Sequence, residues 1–225
     1  MKIISIIPAR GGSKGLLHKN IMHLMGKPLL VHTIEQSLDS ILIDETIVST
    51  DDSAIKDIAE RNGATVIKRP IELAGDFISS EEVIKHTIKV LEEQGNKPDI
   101  IVFLQCTLPI RRKSDMDKQI QKLMDENYDS VFSVTKAKIF IWTNKNGVLI
   151  PLNYDYKKRP MRQNKDIQYD ETGSIYVFKT DVFEKENNRI CGKFGIYEMP
   201  YECSFDIDNY FDLWLCEKIL ERDAK

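Results

Sequence analysis

The stretch Ile3-Ile4-Ser5-Ile6-Ile7-Pro8-Ala9-Arg10-Gly11-Gly12-Ser13-Lys14-Gly15, running on to Lys19 and Asn20, limits the possible folds more than any other. Its first half is a short β-branched apolar run bounded by Pro and Gly, the pattern of a parallel strand covered on both faces. In its second half, glycines let the backbone approach a ligand closely, and successive N–H groups in such a turn form a concavity that suits phosphate oxygens. Arg10, Lys14 and Lys19 add positive charge, which does little for a neutral ligand and much for a nucleoside triphosphate. An ordinary Gly-rich turn with solvated basic residues is the plainer reading, and the rest of the chain has to decide between them.

Two common phosphate loops do not fit. The spacing G-x-x-x-x-G-K-[ST] is missing, and so is G-x-G-x-x-G with an acidic residue about twenty positions on, which argues against a P-loop ATPase and a dinucleotide enzyme. Lys and Arg (32) nearly balance Asp and Glu (35), so no overall field draws the chain to nucleic acid or to an acidic membrane. A length of 225 residues, 42% of them apolar, suits one α/β domain with a sizeable core. Cys106, Cys191, Cys203 and Cys216 lack C-x-x-C spacing, and no basic-apolar leader precedes the first strand. The expectation is a soluble, cytoplasmic protein with free thiols.

Along the chain, apolar spacing predicts a helix over 30–38, a strand over 46–50 and a helix over 54–62 with Gly63 as its stop. Asp51 and Asp52 read as caps of that helix. A short strand over 64–69, a helix over 80–93, a buried strand over 99–104, a helix over 115–127 and a strand over 130–134 complete a βαβ pattern, hence a mostly parallel sheet. From 137 to 170 aromatics, Asn and Lys mix without steady period, an irregular excursion whose apolar side chains want cover. Ser80 reads either as an N-cap or as a ligand contact. Cys106, at a strand end, reads as a buried inert thiol rather than a nucleophile, since nearby sequence offers no His to activate it. Asp206 and Asp208, two apart in an extended segment before a helix over 210–221, are either caps or a pair able to share a hard cation.

The string ARGGSKGLLHKN resembles the signature of the CMP-N-acylneuraminate synthetases, cytidylyltransferases that activate nine-carbon sialic-type sugars. Three further segments are similar to motifs of that family: Arg69 to Ser80 to RPxELAxDxxSS, Leu104 to Arg111 to LQPTSPLR, and Ser204 to Leu213 to SxDIDxxxDL. Cys106 and Leu108 depart from the second of these, where Pro and Ser stand. The resemblance implies a Rossmann-like three-layer nucleotidyltransferase fold over 1–225, with 137–170 as an inserted arm that serves dimerisation and sugar binding, and hence a homodimer. It also implies transfer of CMP from CTP to the anomeric hydroxyl of a nonulosonic acid, with Mg²⁺ on Asp206 and Asp208. Ala9, Arg10, Gly11, Gly12, Ser13, Lys14, Lys19, Asn20, Arg69 and Ser80 would bind the nucleotide. Gln105, Thr107 and Arg162 would bind the sugar, and Arg10, Lys14 and Asp208 would act in catalysis. The general base is either Asp208 or a metal-bound hydroxyl of the sugar. Asp170 sits where some sialic acid synthetases carry a second arginine, which adds a legionaminic acid derivative to N-acylneuraminate as candidate sugar. The rivals are a synthetase of CMP-pseudaminate or CMP-3-deoxy-manno-octulosonate and a non-catalytic nucleotide-binding regulatory protein.

Overall fold

The alternation within the first strand decides the architecture. Ile3 and Ile7 face one side, Ile4 and Ile6 the other, and all four are buried. A strand apolar on both faces needs cover on both. The computed structural model, which describes residues 1–12, 15–161 and 166–223, supplies that cover. Its strands are Ile3–Pro8 (β1), His23–Leu24 (β2), Lys27–Pro28 (β3), Glu45–Thr50 (β4), Thr65–Lys68 (β5), Ile100–Leu104 (β6), Ser130–Lys136 (β7), Trp142–Lys145 (β8), Val148–Pro151 (β9), Tyr169–Lys179 (β10) and Phe194–Glu198 (β11). The helices are Leu29–Leu38 (α1), Ser53–Arg61 (α2), Ser80–Glu93 (α3), Asp115–Asp125 (α4), Thr180–Glu186 (α5) and Tyr210–Asp223 (α6).

Among the described residues the main sheet has seven strands in the order β11-β7-β10-β6-β1-β4-β5. Neighbouring strands run parallel except β10, which lies antiparallel between β6 and β7. On one face Ile34, Ile55, Ile120 and Cys216, from α1, α2, α4 and α6, pack against Ile7, Val48 and Val102. On the other, Ile84 and Ile88 of α3 and Phe183 of α5 meet Ile6, Ile101, Phe103 and Phe178. The result is a three-layer α/β/α arrangement with helices on both faces of the sheet. Ser5 is the polar exception inside β1. Ser37 donates to its Oγ at 2.7 Å and shares a second hydrogen bond with Thr46 at 2.8 Å, so the buried hydroxyls satisfy one another.

Element ends follow local chemistry. Asp52 Oδ1 accepts the N–H groups of Ala54 and Ile55 at 2.8 and 2.9 Å, which starts α2, and Gly63 follows it at φ +89°. The helix expected over 115–127 stops at Asp125, with Asn127 in the left-handed region. The apolar spacing does not mark α5 or β11. α5 is only seven residues long, too short to show a period, and β11 is an edge strand whose Phe194 stays exposed. The 137–170 excursion is also more regular than its composition suggests. Asn146 and Gly147, at φ +52° and +85°, join β8 and β9 in a tight hairpin, and Asn-Gly is the residue pair such a turn favours. Among the described residues no helix is long and apolar enough to cross a membrane.

Phe178 is fully buried with its ring centroid 5.1 Å from that of Phe183. Truncation by Phe178→Ala is expected to remove about 3–5 kcal/mol of stability, read as a lower urea midpoint at unchanged slope.

Candidate active site

The chain leaves β1 towards β4 on one side, while β6 pairs with β1 on the other. The crevice opened by such a reversal, at the carboxyl ends of the strands, is where open α/β sheets bind ligands. A cleft of about 460 Å³ lies there. Its lining includes Arg10, Lys19, Asn20, Arg69, Ser80, Gln105, Thr107, Asp206 and Asp208, drawn from four separated segments of the chain.

The loop after β1 forms the first wall. Ala9 is buried, and its N–H donates to Ser49 O at 3.0 Å, tying the loop's start to β4. Gly11 passes so close to α2 that a Cβ there would stand 2.6 Å from Asp52 Oδ2, and its N–H donates to Asp51 Oδ1 at 3.2 Å. Asp51 therefore anchors the loop, while Asp52 does the capping. A Cβ at Gly12 would meet open space. The Arg10 guanidinium reaches across to Asp76 at 3.0 Å and Ala74 O at 3.3 Å, a bridge to the opposite wall. Buried Asn20 donates through Nδ2 to Arg10 O at 2.9 Å and accepts the Cys106 thiol at 3.0 Å. Ser13 and Lys14 lie outside the described residues.

The segment after β5 forms the second wall. Arg69 is 4% exposed, and its guanidinium donates to Ser49 Oγ and O at 3.2 and 2.7 Å. Burial pulls its pKa down to about 10, which leaves it cationic at neutral pH. Ser79 supplies the N-cap of α3, accepting from Glu82 N at 3.3 Å, and Ser80 next to it lines the cleft. Leu73, Ile78 and Val83 make this wall apolar, a surface on which a base could lie.

The third wall is the end of β6. Gln105 Oε1 would lie 3.1 Å from a Cβ on Gly173, a residue at φ +77°, so glycine is required there twice over. Arg111 is the clamp of this corner, donating to Gln105 O, Ser174 O, Thr33 Oγ1 and Gln36 Oε1 at 2.5 to 3.1 Å. The sequence reading gave Arg111 no role, because nothing local shows which partners a buried guanidinium will find. Burial raises the Cys106 thiol to about 11, and the inert-thiol reading is the one the surroundings fit. Arg162 lies outside the described residues.

The acids come from the turn before α6. Asn209 Oδ1 accepts from the N–H groups of Phe211 and Asp212, and Asp212 Oδ2 accepts from those of Asp208 and Asn209. This reciprocal cap fixes the turn and accounts for Asp212. Ile207 N–H donates to Thr107 O at 2.9 Å, so the turn that bears the acids is tied to the end of β6. Burial pushes the Asp206 pKa up, the Thr107 hydrogen bond opposes this and the neighbouring Asp208 adds to it. Asp208 takes the Lys19 ammonium at 2.9 Å, and a Cβ on Gly15 would stand 2.9 Å from Asp208 O. The amino-terminal loop and the carboxyl-terminal acids thus touch. Among the described residues no group of three or more metal-ligating side chains exists. Two carboxylates that leave further positions for phosphate oxygens are the donor set Mg²⁺ commonly takes.

A family model described as cytidylyltransferase matches residues 4–218. The chain is 34% identical over 227 residues to an N-acylneuraminate cytidylyltransferase of Escherichia coli O18:K1:H7, covering 98% of this chain and 52% of that protein. It is 30% identical over 219 residues to a pseudaminic acid cytidylyltransferase of Campylobacter jejuni, covering 95% and 94%. The chain therefore spans about half the length of the first relative and nearly all of the second. In fold it is similar to a solved CMP-2-keto-3-deoxy-manno-octonic acid synthetase complexed with CTP (TM-score 0.74, 18% identity, 99% and 100% covered). It is similar also to a 4-diphosphocytidyl-2C-methyl-D-erythritol synthase of Anaerococcus prevotii (TM-score 0.70, 17% identity, 98% and 99% covered). With the match to the family model running over nearly its whole length, the chain belongs to the cytidylyltransferase family.

Proposed function

We propose that the chain transfers CMP from CTP to the anomeric hydroxyl of a 2-keto nonulosonic acid and releases pyrophosphate. The observation that carries this reading is the meeting of opposite charges in one cleft: Arg10 and Lys19 line it together with Asp206 and Asp208, and Lys19 touches Asp208. Such a pairing suits a triphosphate with its divalent cation.

In this reading Arg10, Gly11, Gly12, Ser13, Lys14 and Lys19 hold the triphosphate, with Ala9 fixing the loop to the sheet. Arg69, Asn20 and Ser80 hold the cytidine end against the apolar wall. Gln105, Thr107 and Arg162 orient the sugar. Asp206 and Asp208 would hold Mg²⁺, which when bound neutralises phosphate charge and makes the α-phosphorus easier to attack. The sugar's hydroxyl oxygen bonds to that phosphorus as the bond to the β-phosphate oxygen breaks. Asp208 takes the hydroxyl proton, and Arg10 and Lys14 stabilise the departing pyrophosphate. The residues do no covalent chemistry, so positioning and charge supply the acceleration.

The acceptor is N-acylneuraminate or a legionaminic acid derivative, the latter favoured by the acidic Asp170. A second reading, pseudaminic acid, is favoured by the match over 94% of the Campylobacter enzyme. We further propose that the 137–170 segment is a dimerisation arm. Trp142, Leu149 and Tyr156 are exposed there, and Trp142 rests against Tyr154 and Tyr156, forming an apolar ledge that a second copy would cover. The reading also places the protein in the cytoplasm.

Pyrophosphate release from CTP, measured with a panel of nonulosonic acids and Mg²⁺, is the deciding experiment. Release with one acid names the substrate, and release with none means a binding protein. Lys14→Ala and Asp208→Ala should each lower turnover by at least about a hundredfold with unchanged circular dichroism. Chelation should stop release and added Mg²⁺ restore it. Light scattering after gel filtration should give twice the 26.0 kDa chain mass, and Leu149→Asp with Trp142→Ser should reduce it to the monomer.

A further inference from the structure

We propose that Cys106 is a positioning residue which locks the amino-terminal loop onto the end of β6 through Asn20. Arg10 O only accepts, so the Asn20 amide must turn its Nδ2 there, at 2.9 Å, and its Oδ1 is thereby aimed at Cys106. The Sγ lies 3.0 Å from that oxygen, and the thiol is the group that supplies the hydrogen. Asn20 and Cys106 are 5% and 2% exposed, so water cannot readily replace either partner.

Cys106 also stands between the two residues that reach the other walls. Gln105 packs on Gly173 of β10, and Thr107 O accepts the N–H of Ile207, between the two acids, at 2.9 Å. The tripeptide therefore fixes three walls to one strand end, and the thiol is its link to the wall that carries Arg10 and Lys19. Without that link the described residues of the loop retain Ala9 and Gly11 as ties to β4 and its neighbouring turn, and the ion pairs of Arg10 with Asp76 and Lys19 with Asp208, but Asn20 keeps no side-chain hydrogen bond to the end of β6. Of the four free and buried cysteines, Cys106 is the one that lines the cleft.

This role rests on the proposed CTP reading for its consequence but not for its detection. Hydrogen exchange of the ligand-free protein tests the lock directly. In Cys106→Ala, amides of residues 15–22 should exchange roughly three- to tenfold faster, the range that loss of one net hydrogen bond commands. Cys106→Ser keeps an O–H donor and should restore protection there, whereas Cys106→Val should behave as Ala does. Calorimetric titration with CTP should show the same order: affinity weakened several-fold in Ala and Val and recovered in Ser, with the KM for the acid acceptor unmoved.

Unchanged exchange in Cys106→Ala, or Ser no better than Ala, overturns the lock. Faster exchange with unchanged CTP affinity overturns its role in nucleotide positioning. If the wild-type protein binds no CTP at all, the proposed function fails while the exchange comparison still decides the lock. A uniform loss of protection across the sheet in all three variants would mean plain core damage, and overturns the inference as well.

Discussion

The position of β1 between β4 and β6 is the constraint on which the cleft depends. Hydrogen bonding to β4 brings the loop at residues 9–11 within reach of Ser49 and Asp51, and pairing with β6 brings Asn20 to Cys106. Were β1 at an edge, half of these ties would be lost and the loop would have one wall to lie on. The apolar alternation Ile3-Ile4-Ile6-Ile7 is what makes a central place the favourable one, since burial on both faces is available only there.

The charged groups of the cleft are arranged as pairs that can be exchanged. Arg10 holds Asp76 and Lys19 holds Asp208, and Asp208 remains 73% exposed. Pairs that reach water in this way contribute little on their own. In the proposed reading they keep long cationic side chains near one geometry, so that less freedom would be lost when a triphosphate takes over from the carboxylates. Arg69 and Arg111 are different. Each is buried among carbonyl and hydroxyl oxygens, and they act as fixed parts of the frame.

Much of this was legible in the sequence because it rests on short-range chemistry. Short continuous apolar runs named β1 and β6, Asp52 and Gly63 marked the ends of α2, and the glycine loop and the Asp206-Ile207-Asp208 triplet stood out by residue type. What stayed hidden depends on contacts between distant segments. Asp51 and Asp52 look alike as caps until the close approach of Gly11 separates them. Asp76, Arg111 and Gly173 acquire their roles only when walls from different strands come together. The antiparallel direction of β10 was equally invisible, since a strand buried on both faces reads the same either way. The Asn146-Gly147 hairpin, by contrast, had a clear local signal, masked by the mixed composition around it.

The insertion of β10 between β6 and β7 has a consequence for the order of assembly. The half-sheet β6-β1-β4-β5 is built entirely from residues before 105 and can close as soon as they have left the ribosome. β7, although made earlier than β10, has no place in that sheet until residues 169–179 arrive to bridge it. The nascent chain must therefore carry β7 unpaired while the whole 137–168 segment is synthesised, a delay of several seconds at about 5–20 residues per second. In that interval the free flank of β6 is an open template for strands of other chains, and the late arrival of β10 is what closes it.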